Sequence, residues 1–421
     1  RTVHTGLLEY KNVYRPARVI SYDKESGELV LHNYMDFDNL KDYVKISYEL
    51  TQDGLLIGKG KLDEVSVVPH SEGKTNLQVN VPENGKCYLK LTYHLKKEMP
   101  LLEEDYILGF DEIEVSQKDA KCQLAEKWVE KTVTDSELQV SEDDTQIHIK
   151  GREFAYTIDR RTALFTEMKF AGREYLNHPM ELNIWRAPTD NDMYIKSEWK
   201  KAHYDKAYTR AYTTEVVQGK HGVKITSHAS VVAETVQKIL DVTITWKIEA
   251  AGKIDADIAV TKDDEFPDLP RFGVRMFLDK KLSAARYFGM GPQESYCDKH
   301  QAASHGLYQA NVDDLHEDYI RPQENGSHYD CEYVELNNSR YGIVVSAENA
   351  FSFNASYYTQ EELEEKTHNY ELTESDSVVF CVDYALNGIG SNSCGPVVLE
   401  QYRFDDVLFR FQFTLIPYIK G

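Results

Sequence analysis

Apolar residues recur at every second position along most of this sequence, the spacing that places alternate side chains on one face of a β-strand. Val44, Ile46, Tyr48 and Leu50 alternate with polar residues up to Asp53-Gly54, and Leu55 and Ile57 resume the pattern beyond it. Asp-Gly supplies the positive φ of a tight hairpin turn, so two paired strands are predicted there. Leu89, Leu91, Tyr93 and Leu95 mark another strand, and Phe154, Tyr156 and Ile158 run into a turn at Asp159-Arg160-Arg161. Val242, Ile244, Trp246 and Ile248 lead into Ala251-Gly252 and are answered by Ile254, Ala256, Ile258 and Val260; Val407, Phe409, Phe411 and Phe413 share a face near the end. Helical patterns are confined to Thr359 to Lys366 and the stretch around Ser197 to Tyr204. The predicted fold class is all-β. A (β/α)₈ barrel, which needs about 250 residues of alternating strands and helices, is excluded.

The 421 residues suffice for two or three domains. A sandwich of about seven to nine short strands accounts for residues 15–116. Between Ser116 and Gln146 the alternation fades into charged sequence ending in Ser141-Glu142-Asp143-Asp144, too poor in apolar area to offset the entropy of ordering. Residues 117–146 are therefore expected to be a linker, with strands returning over 147–421. The 48 basic against 70 acidic residues give a formal charge of −22, which repels nucleic-acid backbones and anionic lipid, so neither nucleic acid nor membrane is expected as a partner. No run of about 18 apolar residues is present to span a bilayer. The opening Arg1-Thr2-Val3-His4-Thr5 lacks the apolar stretch of a signal peptide, and its abruptness suggests a cut inside a longer protein. Six widely spaced cysteines without a Cys-x-x-Cys pair are expected to be free thiols in a reducing cytoplasm.

Several polar clusters are candidates for chemistry. Glu294, in Gly289-Met290-Gly291-Pro292-Gln293-Glu294-Ser295-Tyr296, and Glu324, in Arg321-Pro322-Gln323-Glu324-Asn325-Gly326, sit among turn residues. Each either belongs to a carboxylate pair of the kind retaining glycosidases use or anchors its loop by accepting backbone hydrogen bonds. The run Trp185-Arg186-Ala187-Pro188-Thr189-Asp190-Asn191-Asp192 is rich in acceptors, and its arginine and aspartates either hold sugar hydroxyls or pair internally. Gly388-Ile389-Gly390-Ser391-Asn392-Ser393-Cys394-Gly395-Pro396 either brings backbone close to a ligand or turns a corner. Cys394 has no neighbouring histidine base in sequence. His300, His305, His316 and His328 lack metal-site spacing, and no glycine-rich phosphate loop occurs. The 28 tyrosines suit either sandwich packing or sugar stacking.

In order and spacing these stretches resemble the C-terminal region of β-galactosidases of glycoside hydrolase family 2. Gly6 to Pro16 looks like the segment leaving the catalytic barrel, and Leu31-His32-Asn33-Tyr34 to Leu50 is similar to the early strands of the immunoglobulin-like domain that follows. Trp185 to Asp192, Gly289 to Tyr296, Pro322 to Gly326 and Gly388 to Gly395 resemble motifs of the large terminal domain. The resemblance implies a barrel-exit segment at 1–14, an immunoglobulin-like sandwich at 15–116, a linker at 117–146, and a galactose mutarotase-like supersandwich at 147–421. It also implies a chain without its catalytic residues, since the family's acid/base glutamate follows an asparagine inside the barrel and no Asn-Glu dipeptide occurs here.

Magnesium and sodium sites are expected in the missing upstream domains, leaving no cofactor and no metal in this chain. Arg186, Asp190, Asn191 and Asp192 are expected beside the galactoside pocket, in a positioning role. Asn392, Ser393 and Cys394 stand on the same edge, where many members carry a stacking tryptophan. The expected partners are the catalytic barrel, a terminal β-galactoside of lactose type and further copies of the parent in a cytoplasmic homo-oligomer. Residues Arg186 to Ser197 are expected to lose order when that barrel is absent. The alternatives are a natural small subunit of a two-subunit β-galactosidase, a mutarotase-like enzyme using Glu324 with His328 as acid and base, and a carbohydrate-binding protein.

Overall fold

The alternation at Val44–Leu50 and Leu89–Leu95 is realised as two paired strands in a computed structural model that describes residues 3–125, 128, 138–236 and 238–420. The chain divides into two compact units, and part of the stretch 117–146 expected as a linker lies outside the described residues. The all-β class holds for both units.

The first unit is built on seven strands: β1 (Ala17–Tyr22), β2 (Glu28–Asn33), β3 (Val44–Gln52), β4 (Leu55–Lys61), β5 (Glu72–Asn76), β6 (Cys87–Leu95) and β7 (Ile107–Glu114). They form a three-stranded sheet in the order β1-β2-β5 and a four-stranded sheet in the order β4-β3-β6-β7. Leu89, Leu91 and Tyr93 of β6 are completely buried, and Leu29 and Leu31 of β2 join Ile46 and Leu50 of β3 in the same core. The β3–β4 turn uses the predicted Asp53 (φ 48°) and Gly54 (φ 76°), and the Asp53 carboxylate accepts the Lys86 N–H at 2.8 Å. One expectation fails here. Leu55, Leu56 and Ile57 are 56, 50 and 44% exposed, because β4 is an edge strand that supplies ladder hydrogen bonds to β3 without reaching the core.

This unit also takes in residues 290–292 and 300–308, from far along the chain. The Glu9 carboxylate accepts the N–H groups of Gln301 and Ala302 at 2.8 Å each, and the Asn12 amide donates to the Gln301 carbonyl at 2.8 Å. Both side chains belong to the helix Thr5–Val13. Glu112 accepts from the His305 backbone N–H at 2.9 Å and lies 2.7 Å from its Nδ1, while the His305 ring stacks on Tyr88 at 4.1 Å.

In the second unit a five-stranded sheet runs from Arg173–Glu174 through Leu164–Phe170, Phe154–Asp159 and Gln146–Lys150 to Gln139–Glu142. The strand Gln139–Glu142 falls inside the stretch read as a linker. The charged run beyond it is a turn whose Asp143 carboxylate accepts the N–H groups of Thr145 (2.7 Å) and Gln146 (2.9 Å). Among the described residues the larger sheet has twelve strands. Its main path orders Leu176–Asn183, Arg271–Asp279, Ser377–Leu386, Tyr341–Ser356, Leu408–Ile419, Ile254–Lys262, Leu240–Glu249, Gly222–Val232 and Tyr208–Gln218. This long antiparallel sheet fits the supersandwich class expected for the region. Val242 to Ile248 and Ile254 to Val260 face the core as predicted, and Trp246, fully buried, donates its indole N–H to the Ala163 carbonyl at 2.8 Å. Phe409, Phe411 and Phe413 are buried, whereas Val407 precedes its strand and is exposed. Both expected helices are present, as Gln360–Glu365, capped by the Thr359 hydroxyl on the Glu362 N–H at 3.1 Å, and as Ile195–Lys201. No helix among the described residues is long and apolar enough to cross a membrane.

Candidate functional site

Arg186 organises the densest polar cluster of the sequence from inside the protein. The strand Leu176–Asn183 ends where the Asn183 side chain accepts the Trp185 N–H at 3.1 Å, and Arg186 then turns inward to 0% exposure. Its guanidinium donates to Asp192 at 2.7 and 3.2 Å, to the Asn387 carbonyl at 2.5 Å and to the Gly388 carbonyl at 3.1 Å. Asp192 also accepts the Thr189 N–H at 2.9 Å, closing a short 3₁₀ turn over Asp190–Asp192. Burial disfavours the Arg186 charge, but the Asp192 carboxylate outweighs it and the pKa stays above the ordinary value. Of the two readings for this run, internal pairing is the one realised for Arg186 and Asp192. These two side chains are enclosed and shape the rim without standing on its surface. The Arg186 end of the segment expected to lose order is therefore tied by buried hydrogen bonds, whereas Met193 and Tyr194 are exposed.

The same bonds bring together two loops about two hundred residues apart in sequence. The Asn191 amide donates to the Gly390 carbonyl at 2.7 Å, and the Ser393 hydroxyl donates to the Asn191 side-chain oxygen at 2.7 Å. Asp298 completes the corner by accepting the N–H groups of Ile389 (2.9 Å) and Gly390 (2.7 Å). Gly390 adopts φ 65°, and a Cβ on Gly388 would sit 2.8 Å from an Asp298 oxygen, so the glycines serve both close approach and turning. Asp190, Ser393 and Cys394 are exposed and Asn392 is half-buried, which leaves them, with Asn191, as the accessible part of one rim.

Beneath this rim lies a second set of buried charges. Arg271 pairs with Asp383 at 2.5 and 3.1 Å and reaches Glu324 Oε2 at 3.3 Å. Among the described residues the other Glu324 oxygen, which is buried, has no hydrogen-bond partner. Burial holds the Glu324 pKa above the usual carboxylate value despite Arg271 and Arg186. Burial also works against ionised Glu294, but there Lys299 at 2.5 Å, the Tyr319 hydroxyl at 2.5 Å and the Gly326 N–H at 2.8 Å prevail and keep the pKa low. Glu294 is thus a loop anchor. His328 is buried between aromatic rings, Phe353 at 5.1 Å and Tyr287 at 4.5 Å.

Asn387, Asp298, Arg271 and Asp383 escape a reading of the sequence, because isolated polar residues in or beside strands carry no motif; only the fold places them against Arg186 and Glu324. All six cysteines are free thiols. Among the described residues no group of His, Cys, Asp and Glu is arranged to hold a metal ion.

With this geometry in place, similarity to known proteins is specific. A family model described as Beta-galactosidase, domain 4 matches residues 29–116. The β-galactosidase of Actinobacillus pleuropneumoniae is 42% identical over 99% of this chain, and that of Staphylococcus xylosus 30% identical over 99%. The chain spans about 40% of the length of these curated relatives, 40% of the first and 41% of the second. Among solved structures, the galactose 1-epimerase from Lactobacillus acidophilus NCFM covers 69% of the chain at 8% identity and a TM-score of 0.37. A second family model, described as Beta galactosidase small chain, matches residues 150–415, and the chain belongs to that family.

Proposed function

We propose that this chain is the C-terminal, non-catalytic part of a β-galactosidase that hydrolyses terminal β-D-galactosides, and that it completes one edge of the substrate pocket. The observation that carries the proposal is the union of residues 186–192 with residues 388–394 through Asn191, which converts two remote loops into one rim, backed by the buried Arg186–Asp192 pair and its hydrogen bonds to the Asn387 and Gly388 carbonyls. In this reading Arg186 and Asp192 fix the loop, while Asp190, Asn191, Asn392, Ser393 and Cys394 face the galactoside. Hydrolysis belongs to a barrel elsewhere in the parent, as do magnesium and sodium, and the parent is a cytoplasmic homo-oligomer. The state of the two conspicuous glutamates supports this: Glu294 is engaged by Lys299 and Glu324 lies against Arg271, so neither is presented as half of an accessible carboxylate pair.

The test is hydrolysis of a chromogenic β-galactoside by the purified chain, alone and then mixed with the remainder of its parent. No turnover alone and turnover after mixing is the expected result; turnover by the chain alone would place a catalytic carboxylate pair here. In the intact parent, Asn191→Ala should raise KM for the galactoside and lower kcat/KM by about tenfold, because the rim is no longer held in register. An unchanged KM would remove Asn191 from the pocket edge.

A further inference from the structure

Arg186, Arg271 and Arg275, each buried in the second unit, pair with Asp192, Asp383 and Glu181 at 2.7, 2.5 and 2.6 Å. Arg286 departs from this pattern. It is half-buried in strand Ala284–Gly291, and its Nε is enclosed without a hydrogen-bond partner. Among the described residues its guanidinium makes no hydrogen bond and no ion pair, in a chain that carries 70 acidic residues.

The carboxylate nearest to it in the ladder is already engaged. Register places Glu335 of strand Ser327–Asn337 opposite Arg286, and Asn337 opposite Ala284, so these four side chains share one face of the sheet. Glu335, however, is buried and accepts the hydroxyl of Tyr333 at 2.8 Å and that of Tyr418. Burial raises the pKa of both phenols, which keeps them protonated and donating. The other acid at hand, Asp314, is exposed and caps a short 3₁₀ turn, accepting the Asn311 backbone N–H at 3.3 Å and its amide at 3.0 Å.

That shared face floors an open cleft of about 630 Å³ in the second unit, well within the range of small-molecule sites. Small Ala284 and Ala310 leave the room, and Trp128, whose ring meets that of Tyr418 at 4.1 Å, forms an aromatic wall. Gln309 and Asn311 line one side. Lys420 reaches the cleft from the other, donating to the Asn337 side-chain oxygen at 3.0 Å and to the Asn338 carbonyl at 2.9 Å. An ammonium has three donors, so one is left over. The acids of the cleft are thus committed, while its guanidinium and part of its ammonium are not. Uncommitted cationic donors call for an anionic acceptor, and the planar guanidinium fork matches the two oxygens of a carboxylate. Glu335 and Asp314 close by disfavour a doubly charged anion, and the alanines with Trp128 favour an apolar body behind the charge.

We propose that this cleft is a binding site for a small organic monocarboxylate, whose carboxylate takes the Arg286 fork and whose apolar body lies on Ala284, Ala310 and Trp128. The proposal stands apart from the β-galactosidase reading and uses none of the rim residues.

The experiment is titration of the full 421-residue chain with benzoate and butyrate, followed by calorimetry and saturation-transfer NMR, with benzyl alcohol, butylammonium and phosphate as controls. At least one carboxylate should bind with a dissociation constant of about 0.1–5 mM, as befits a small ligand, and more weakly as salt is raised. Arg286→Gln removes the charge and should weaken binding about tenfold or more. Ala284→Leu fills the floor of the cleft while leaving Arg286 in place, and should weaken it as much; it keeps the test decisive if Arg286→Gln does not fold. Absence of carboxylate binding by a chain with a cooperative melt would overturn the proposal. So would binding that either folded variant leaves unchanged, or a control that binds as tightly as the carboxylates.

Discussion

Glu324 is the carboxyl left over when the buried charges below the rim are matched. Arg186 pairs with Asp192, Arg271 with Asp383 and Lys299 with Glu294, each across 2.5–2.7 Å, and Glu324 meets only a guanidinium already bound more closely by Asp383. A surplus buried acid is best kept neutral. The consequence for pH has a definite sign. The unfolded carboxyl titrates near 4.5 and the folded one above it, so between those values the folded chain keeps a proton that the unfolded chain gives up, and stability falls as pH rises through that window. Glu324→Gln should therefore be close to neutral near pH 4.5 and gain on the wild type toward pH 8, read as urea midpoints at the two pH values. A loss of several kcal/mol at pH 8 would mean that Arg271 needs an ionised Glu324. Asp383→Asn should cost about 3–5 kcal/mol in the same measurement, because it strands Arg271 without its closest partner. The Trp185–Asp192 run was recognisable from its own residues, and so was the choice between internal pairing and sugar contact. That Arg186 ends on Asn387 and Gly388 was not, because nothing local to either segment encodes a contact across 201 positions.

At the scale of the element, strands were legible wherever one face is buried, as in β6 and the hairpin Leu240–Glu249 with Ile254–Lys262, since burial forces period two. Edge strand β4 shows the limit: its Leu55 and Ile57 carry the pattern of a core strand while facing solvent, because a pattern reports apolarity and not what covers it. The short strand Gln139–Glu142 was hidden by its charge, since it is held by ladder bonds to Gln146–Lys150. The turn between β3 and β4 was fully legible, and it is demanding. Gly54 combines φ 76° with a Cβ position 2.2 Å from the Leu307 backbone nitrogen. Gly54→Ala should destabilise the first unit by about 2 kcal/mol or more, seen as a lower thermal midpoint. Removing a helix cap is milder, and Thr359→Ala should cost about 1 kcal/mol through loss of its bond to the Glu362 N–H.

The whole molecule has two cores, yet its first unit is not a contiguous stretch of sequence. Glu9, Asn12, Tyr88 and Glu112 all meet residues 301–305, so a fragment of residues 3–124 would expose these groups and lose their hydrogen bonds. Such a fragment should melt well below the corresponding transition of the full chain, and adding a peptide of residues 300–308 should raise its midpoint in proportion to peptide concentration, as mass action requires. A midpoint indifferent to the peptide would show that the returning segment contributes nothing. That segment also imposes a schedule on synthesis. A ribosome adding about 5–20 residues per second has the seven strands of the first unit ready long before His305 exists. Until residue 308 leaves the exit tunnel, Tyr88 lacks its stacking partner and Glu112 its imidazole, while the strands of the second unit emerge in between. The nascent chain thus carries this sandwich without its returning segment while the residues between Leu124 and His300 are made.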